Sequence, residues 1–238
     1  MKKLIESIYV MTTPKRNNEG IALKQIIEAS VAASGLDIPV FVNIDRFRNP
    51  EDNWYEIMGK PHLMEGGYRI TIHDDMTVGR NFVEKANYIL NQLPEGHVVC
   101  FYCPQNKDYI QAKAQNKHII QTHYNFWTQC HAFPTHLLND FIDFTKRSFP
   151  ESYKSDTRIT YYLYKRDNPA FVIRPSLVQH LGMNRSSQGI PGKVGLYKRC
   201  TAEHAPELDV YGIDWKHELE NAYVTEKKHI VRSKWILE

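Results

Sequence analysis

Apolar and polar positions follow two periods in the first half of the chain, one typical of strands and one typical of helices. Apolar stretches at 4–13, 38–45 and 97–104 predict strands, and apolar positions alternate with polar ones in a further strand, YRITIHDD. Helical spacing marks 21–34, which Gly35 ends, and the stretch VGRNFVEKANYILNQLPEG. The order strand, helix, strand, strand, helix, strand favours an α/β fold with a central, mostly parallel sheet flanked by helices.

The remaining segments are less regular. NPEDNWYEIMGKPH scatters Pro, Gly, Asp and Asn, and it predicts a long loop before the YRITIHDD strand. Helical spacing predicts one helix in PTHLLNDFIDFTKRS and another in YKSDTRITYYLYKRDNP. AFVIRPSLVQHLG predicts a short strand followed by a proline-opened segment and a loop.

The composition is typical of a globular protein and indicates no more specific class. The chain has 238 residues, of which 42% are hydrophobic and 24% charged, as in an ordinary globular protein. No apolar run approaches the roughly 18 residues of a membrane span, and the N-terminus reads as a strand rather than a signal peptide. We therefore expect a cytoplasmic protein without a membrane partner. The four cysteines offer neither a disulfide framework nor a second C-x-x-C pair, so free thiols are expected.

Candidate chemistry lies where two predicted strands end. TTPKR follows the first strand and supplies Thr12, Thr13 and Arg16, and HDD closes the third with Asp74 and Asp75. Ligands of open α/β sheets bind outside the carboxyl ends of the strands. Backbone donors, positive charge and carboxylates there would suit a diphosphate with a hard cation, although paired aspartates also occur in solvated turns. Neither a P-loop nor a dinucleotide fingerprint is present.

Three other features leave alternatives open. Asp156 is either a helix cap or a general base, and His180 is either a core histidine or a metal ligand. A metal-dependent phosphohydrolase would need further His and Asp ligands for its metal. The sequence provides only weak candidates for these, such as His136 with Asp140. The net charge of +3 neither requires nor excludes a nucleic-acid-binding module without catalysis.

A series of motifs occurs in an order that resembles a known family. TTPKR, the DD pair followed by NF, TQCHAFP, SDTRI and PSLVQHLGMNRSSQG look like the GT-A glycosyltransferases over residues 4 to about 190. The likeness is greatest to compact phage-encoded enzymes related to the branching N-acetylglucosaminyltransferases. It implies one GT-A domain over 1–238, Rossmann-like at its N-terminal half. Its parts would be a nucleotide-sugar-binding half at 1–104, an acceptor and metal half at 105–200, and a C-terminal extension at 201–238.

The resemblance also implies roles for particular residues. The donor would be a UDP-sugar carrying glucose or a similar hexose, held with Mn²⁺ or Mg²⁺. Asp75 matches the last Asp of the family's D-x-D motif, and His180 matches its C-terminal metal-binding histidine. His73 stands where that motif has an acidic residue. Asp156 would face the acceptor as the catalytic base. The residues on the donor side would be Thr12, Thr13, Arg16, Asp74 and Arg80.

The acceptor is the least constrained part of the interpretation. Phage enzymes of this kind glycosylate hydroxymethylated pyrimidines in DNA, whereas others act on saccharides or proteins. Lys198 and Arg199 lie in the basic stretch GKVGLYKRC, where they could meet DNA phosphates, and Tyr211 could stack on an extruded base. We therefore expect DNA as the acceptor partner, in the host cytoplasm if the protein is phage-encoded.

Overall fold

The computed structural model of the protein describes residues 1–46, 50–64, 66–123, 128–148, 155–181 and 208–225. Strands and helices alternate through the first half of this structure and become irregular in the second half. In chain order the elements are β1 (Ile5–Thr12), α1 (Asn17–Ser34), β2 (Val40–Ile44), α2 (Pro50–Met58), β3 (Tyr68–His73), β4 (Met76–Val78), α3 (Phe82–Gln92), β5 (Val99–Cys100), α4 (Lys107–Ala114), β6 (Ile119–Thr122), β7 (Cys130–Pro134), α5 (Leu138–Ser148), α6 (Ser155–Lys165), β8 (Ala170–Ile173), β9 (Val178–His180), α7 (Trp215–Glu220) and β10 (Tyr223–Val224).

The central sheet is mixed but mostly parallel, which confirms the α/β prediction. Over the described residues it has eight strands in the order β10-β6-β8-β5-β7-β3-β1-β2. β1 is parallel to β2 and β3, and β5 is parallel to β8. β7 runs antiparallel to both β3 and β5, so it joins two parallel blocks whose strands point the same way. The carboxyl ends of β1, β3, β5 and β8 therefore share one edge, which we call the site edge.

Helices cover both faces of the sheet. α1 packs with α3, where the backbone N–H of Val83 donates to the hydroxyl of Ser30 at 3.0 Å. α2, α5 and α6 pack together elsewhere, with Phe141 in edge contact with both Trp54 and Tyr162. A right-handed crossover puts α1 and α2 on opposite faces, since the chain reverses its direction across the sheet between them. Every residue of β1 is buried between these layers.

The loop predicted for NPEDNWYEIMGKPH is wrong, because residues Pro50–Met58 form α2. Trp54, Ile57 and Met58 recur at positions three and four apart and are fully buried. Helix breakers elsewhere in the stretch obscured this short apolar stripe, and Pro50 fits the first turn of a helix, where its missing N–H costs nothing.

Two further elements differ from the sequence pattern. The helix predicted in VGRNFVEKANYILNQLPEG begins only at Phe82, because Val78 belongs to β4, which pairs with β9 in a separate two-stranded sheet. The strand predicted at 97–104 keeps only Val99–Cys100 in the ladder. In the second half, β10 pairs with β6, so residues 223–224 belong to the central sheet.

No helix within the described ranges combines the length and the apolar character that crossing a bilayer requires.

Candidate active site at the carboxyl ends of the strands

Thr12, Arg16 and Asp74 meet where β1 and β3 end. The Thr12 hydroxyl lies 2.6 Å from Oδ2 of Asp74 and 2.8 Å from the carbonyl oxygen of Arg16. Nε of Arg16 lies 3.4 Å from Oδ1 of Asp74. The backbone fixes the same corner, since the Asp74 N–H donates to the carbonyl of Met11 at 3.0 Å. Two strand ends and the turn after β1 are thus tied together by one hydroxyl and one carboxylate.

Asp75 and His180 meet through the small β4–β9 sheet. Nε2 of His180 lies 3.1 Å from Oδ2 of Asp75, and an Arg16 terminal nitrogen lies 4.0 Å from the same oxygen. Met76 is paired with His180 in the ladder, and the Leu181 N–H donates to the Asp75 carbonyl at 2.7 Å. Backbone pairing therefore brings together two candidate ligands that are far apart in the sequence.

The two adjacent carboxyls differ in their electrostatics. Burial raises the pKa of Asp74 above its ordinary value, although Thr12 and Arg16 oppose this shift. Burial would also raise the pKa of Asp75, but His180, His73 and Arg16 outweigh it and hold that pKa at about 2. Asp75 is therefore ionised at neutral pH, whereas Asp74 is the easier of the two to protonate.

The donor set fits a divalent cation only in part. Oδ1 of Asp75 is buried and has no hydrogen-bond partner among the described residues. One carboxylate and one imidazole suit Mn²⁺, or Mg²⁺ through the carboxylate. Within the part of the chain that the structure describes, no three His, Cys, Asp or Glu side chains are arranged to hold a metal by themselves. A cation at Asp75 and His180 would therefore depend on further oxygen ligands from water or a substrate phosphate, as is usual for Mg²⁺ in phosphate sites.

Two residues that support the site were not identified from the sequence. Gly20 of α1 faces Thr12 so closely that a Cβ there would lie 2.9 Å from the Thr12 Cβ. Asn53 of α2 is buried, and its amide donates to the carbonyls of Thr12 at 3.2 Å and Asn43 at 3.3 Å. A glycine inside a helical pattern hints at close packing, but Asn53 lay in the segment interpreted as a loop, and its sequence carried no signal.

Asp156 lies towards the same edge of the sheet but outside the cluster. α6 leads into β8 through a short connection, and β8 runs parallel to β5, so the first turn of α6 lies towards the site edge. Arg158 of α6 stacks over the Tyr55 ring at 4.5 Å, and α2 also carries Asn53. Asp156 itself accepts a hydrogen bond from the Thr157 N–H at 2.7 Å. Among the described residues no hydrogen bond or ion pair joins it to Asp75 or His180.

The other predicted site residues are less closely connected. Thr13 is half-buried, and its carbonyl accepts from the Arg16 N–H at 2.9 Å. Arg80 is exposed in the turn between β4 and α3, and within the described ranges no ion pair involves it. Lys198 and Arg199 lie outside the described residues.

Tyr211 has local partners that differ from the expected stacking on a base. Its ring lies 4.7 Å from that of Tyr88 in an edge contact, and its hydroxyl donates to Glu84 at 2.5 Å. Both partners belong to α3. Tyr211 is half exposed, and its visible role is to attach the segment after residue 208 to that helix.

His136 and Asp140, the further ligands that a phosphohydrolase would need, lie away from the site. They follow β7, whose antiparallel direction puts its carboxyl end at the opposite edge of the sheet. Asp140 there accepts from the Tyr162 hydroxyl at 2.8 Å and pairs with Arg166 at 2.5 Å. These contacts give Asp140 a structural role between α5 and α6.

Comparison with known proteins finds likeness in structure and none in sequence. No protein-family model matches the sequence, and no curated protein sequence matches it either. One solved structure, a glycosyltransferase involved in the glycosylation of the major capsid of PBCV-1, is similar with a TM-score of 0.42 and 11% sequence identity. The match covers 76% of this chain and 95% of that chain. At this TM-score the likeness assigns no activity, so function must be argued from the site.

Proposed function

We propose that the protein is a metal-dependent glycosyltransferase that binds a nucleoside-diphosphate sugar, a UDP-sugar in the first instance, at the site edge. One observation carries the proposal. Within the part of the chain that the structure describes, the ionised carboxylate of Asp75 has a buried oxygen without a partner, and an imidazole and a guanidinium lie beside its other oxygen. Unpartnered buried carboxylate oxygens are costly, and a cation bound with a diphosphate would satisfy this one.

The residue types suit departure of a nucleoside diphosphate. Asp75 and His180 would hold Mn²⁺ or Mg²⁺, which supplies Lewis-acid neutralisation of the leaving group's growing negative charge. Arg16 provides a second positive charge on the same side, and its planar fork suits phosphate oxygens. Thr12 and Asp74 keep the turn that carries Arg16 in place through the 2.6 Å and 2.8 Å contacts of the Thr12 hydroxyl.

Asp156 is our candidate for the base that accepts the proton of the attacking hydroxyl. The support is its place in the first turn of α6, which the sheet topology directs towards the site edge. Its carboxylate has a local partner in the N–H of the next residue, Thr157. Asp156→Asn should therefore lower transfer to an acceptor far more than acceptor-independent hydrolysis of the donor, because water needs no positioned acceptor hydroxyl.

The proposal is tested by the products formed from UDP-sugars without an acceptor. With Mn²⁺ present, the transferase should release UDP and free sugar slowly, and EDTA should stop the release. A phosphohydrolase would instead break the diphosphate and give UMP with a sugar phosphate. Chromatography of the nucleotides separates the two reactions. Absence of UDP release with every UDP-sugar, together with absence of UDP binding in calorimetry, would reject the proposed function.

For the acceptor we propose a 5-hydroxymethylated pyrimidine in DNA. The support is the resemblance to phage enzymes and the basic residues Lys198 and Arg199 in the sequence. Transfer to hydroxymethylated DNA should fall steeply between low and physiological salt, whereas UDP release should barely change. Lys198→Ala with Arg199→Ala should weaken only the transfer to DNA. Transfer to a free saccharide or a protein, with none to hydroxymethylated DNA, would reject this acceptor and leave the donor chemistry standing.

A further inference from the structure

Arg16 lies where an incoming cation would meet positive charge. Its guanidinium contacts both carboxylates, at 3.4 Å from Asp74 and 4.0 Å from Asp75. Its backbone is fixed at both ends of the residue, because the N–H donates to Thr13 and the carbonyl lies 2.8 Å from the Thr12 hydroxyl. The side chain is about one-fifth exposed, at 19%. The backbone is thus held in place, while the guanidinium is the part that can exchange partners.

The charges favour an exchange of partners when a diphosphate binds. A guanidinium stays protonated at any relevant pH, so in the donor-free protein it partly neutralises Asp75 and repels a divalent cation. A diphosphate offers the guanidinium bidentate oxygen pairs that are more strongly charged than its present contacts. The same diphosphate also brings the oxygen ligands that the described side chains do not supply for a metal by themselves.

We propose that Arg16 is a positioning residue that couples cation binding to diphosphate binding, by opposing the cation at Asp75 until a nucleoside diphosphate draws the guanidinium away. This inference rests on the proposed function and extends it. It names Arg16 as the residue that weakens cation binding at Asp75 before the diphosphate binds. The substrate class is accordingly a nucleoside diphosphate sugar whose cation arrives with it or after it.

The test measures binding, not turnover. Mn²⁺ is titrated into the full chain with and without saturating UDP, and UDP is titrated with and without Mn²⁺. In the wild type each ligand should tighten the other by the same factor, on the order of tenfold and within the roughly 5–150-fold usual for coupled sites. In Arg16→Gln, Mn²⁺ alone should bind at least about fivefold more tightly, and the coupling factor should shrink towards one.

Two variants separate this role from a general charge effect. Lys15→Gln removes the same charge from the neighbouring residue, which is exposed and makes no ion pair with either carboxylate among the described residues; it should keep the wild-type coupling. Arg16→Lys keeps the charge but loses the planar fork, so Mn²⁺ alone should bind as weakly as in the wild type while UDP binds less tightly. Melting curves without ligand should show that each variant is folded at the temperature of the titrations.

The outcomes distinguish this inference from the proposed function. If Arg16→Gln leaves Mn²⁺ affinity without UDP within twofold of the wild type and retains the coupling, the role of Arg16 is rejected while the metal and nucleotide site stands. Weaker Mn²⁺ binding in Arg16→Gln would likewise reject it, since a supporting residue rather than a competitor would have been removed. If the wild type binds neither Mn²⁺ nor UDP, the proposed function fails and this inference fails with it.

Discussion

The same two strands, β1 and β3, carry an arginine–carboxylate cluster at each end, and the two clusters are built differently. At the end opposite the site edge, Arg69 donates to Glu6 at 2.7 and 2.9 Å. The remaining donors of Arg69 bond to backbone carbonyls of the α2 end, with Ile57 at 2.8 Å and Lys60 at 2.9 Å. Glu6 also accepts from the Leu63 N–H at 2.9 Å. Both charged side chains have no solvent exposure.

At the site edge the contacts of Arg16 with carboxylates are longer, and a buried oxygen of Asp75 has no hydrogen-bond partner in the described ranges. A buried ion pair that satisfies all of its donors fixes a structure, because breaking it leaves an uncompensated charge. A cluster with spare hydrogen-bonding capacity has room for a ligand. The difference teaches that satisfaction of the polar atoms, more than the presence of charge, separates the structural end of the strands from the end where we propose that ligands bind.

The largest effect on stability is expected at the satisfied cluster. Arg69→Met leaves Glu6 buried without its partner, so the free energy of unfolding should fall by about 3–5 kcal/mol, as measured by urea denaturation. Adding Glu6→Leu should restore part of this loss, because the unpaired charge is then removed. If the single substitution costs less than about 1 kcal/mol, the cluster does not have the structural role assigned to it.

For Asp75→Asn we expect a large loss of UDP release and a smaller loss of stability. Release of UDP from a UDP-sugar should fall by roughly 100-fold or more, equivalent to about 3 kcal/mol, because a charged ligand is lost. The free energy of unfolding should fall by at most about 3 kcal/mol, since the pKa of Asp75 is held at about 2 against an ordinary 3.8. Chromatography of the UDP released, and denaturation of the same sample, measure both. Full activity in this variant would contradict the metal site.

Gly20→Ala tests whether the site edge depends on close packing. The new methyl group would crowd the Thr12 side chain, and overpacking of this kind costs about 1–3 kcal/mol, partly offset by the roughly 1 kcal/mol helix preference of Ala over Gly. We expect a small loss of stability with a clear loss of UDP affinity, because Thr12 holds the Arg16 turn. Gln25→Ala, on the exposed face of the same helix, is the control and should leave UDP affinity unchanged.

The smallest effect concerns His131, which lies between the two clusters. The hydroxyl of Thr71, midway between Arg69 and His73 on β3, lies 3.1 Å from Nδ1 of the His131 ring. Burial lowers the pKa of His131 from 6.5 to about 3. This depressed pKa means that the neutral ring stabilises the fold fully above pH 6.5, and the contribution is lost as pH falls from 6.5 towards 3. Between pH 6.5 and 5.5 about 1 kcal/mol should be lost. His131→Gln should flatten that slope in denaturation series, and an unchanged slope would assign it to other groups.

The sequence predicted much of the site edge for a simple physical reason. Thr12, Asp74 and Asp75 follow regular strands, and the carboxyl ends of parallel strands meet at one edge, so their proximity followed from the alternating pattern alone. The proximity of His180 came from the family resemblance, because the β4–β9 pairing has no sequence signal of its own. Three-residue strands are too short for periodicity to reveal them.

Other features depended on tertiary packing and could not be predicted. α2 is stabilised by burial of Trp54 and by the hydrogen bonds from Arg69 to the carbonyls at its end. Intrinsic preference in its sequence is weak, so the prediction of a loop followed from local rules that packing overrode. Asn53 reaches the Thr12 carbonyl only because α2 holds it there. Since the sequence did not predict α2, it did not predict this contact either.

The β4–β9 pairing has a consequence for how the protein acquires its activity during folding. Asp75 precedes the one strand and His180 ends the other, and the pairing joins parts of the chain made early and late in synthesis. Contacts between such distant segments form slowly, because loop closure must precede the contact energy that rewards it. A nascent or truncated chain that ends before β9 can build the first parallel strands and still lack His180, one of the two proposed metal ligands. The proposed cation site would therefore form late, after the sheet has closed around β7, and partly folded chains should not bind Mn²⁺ with UDP.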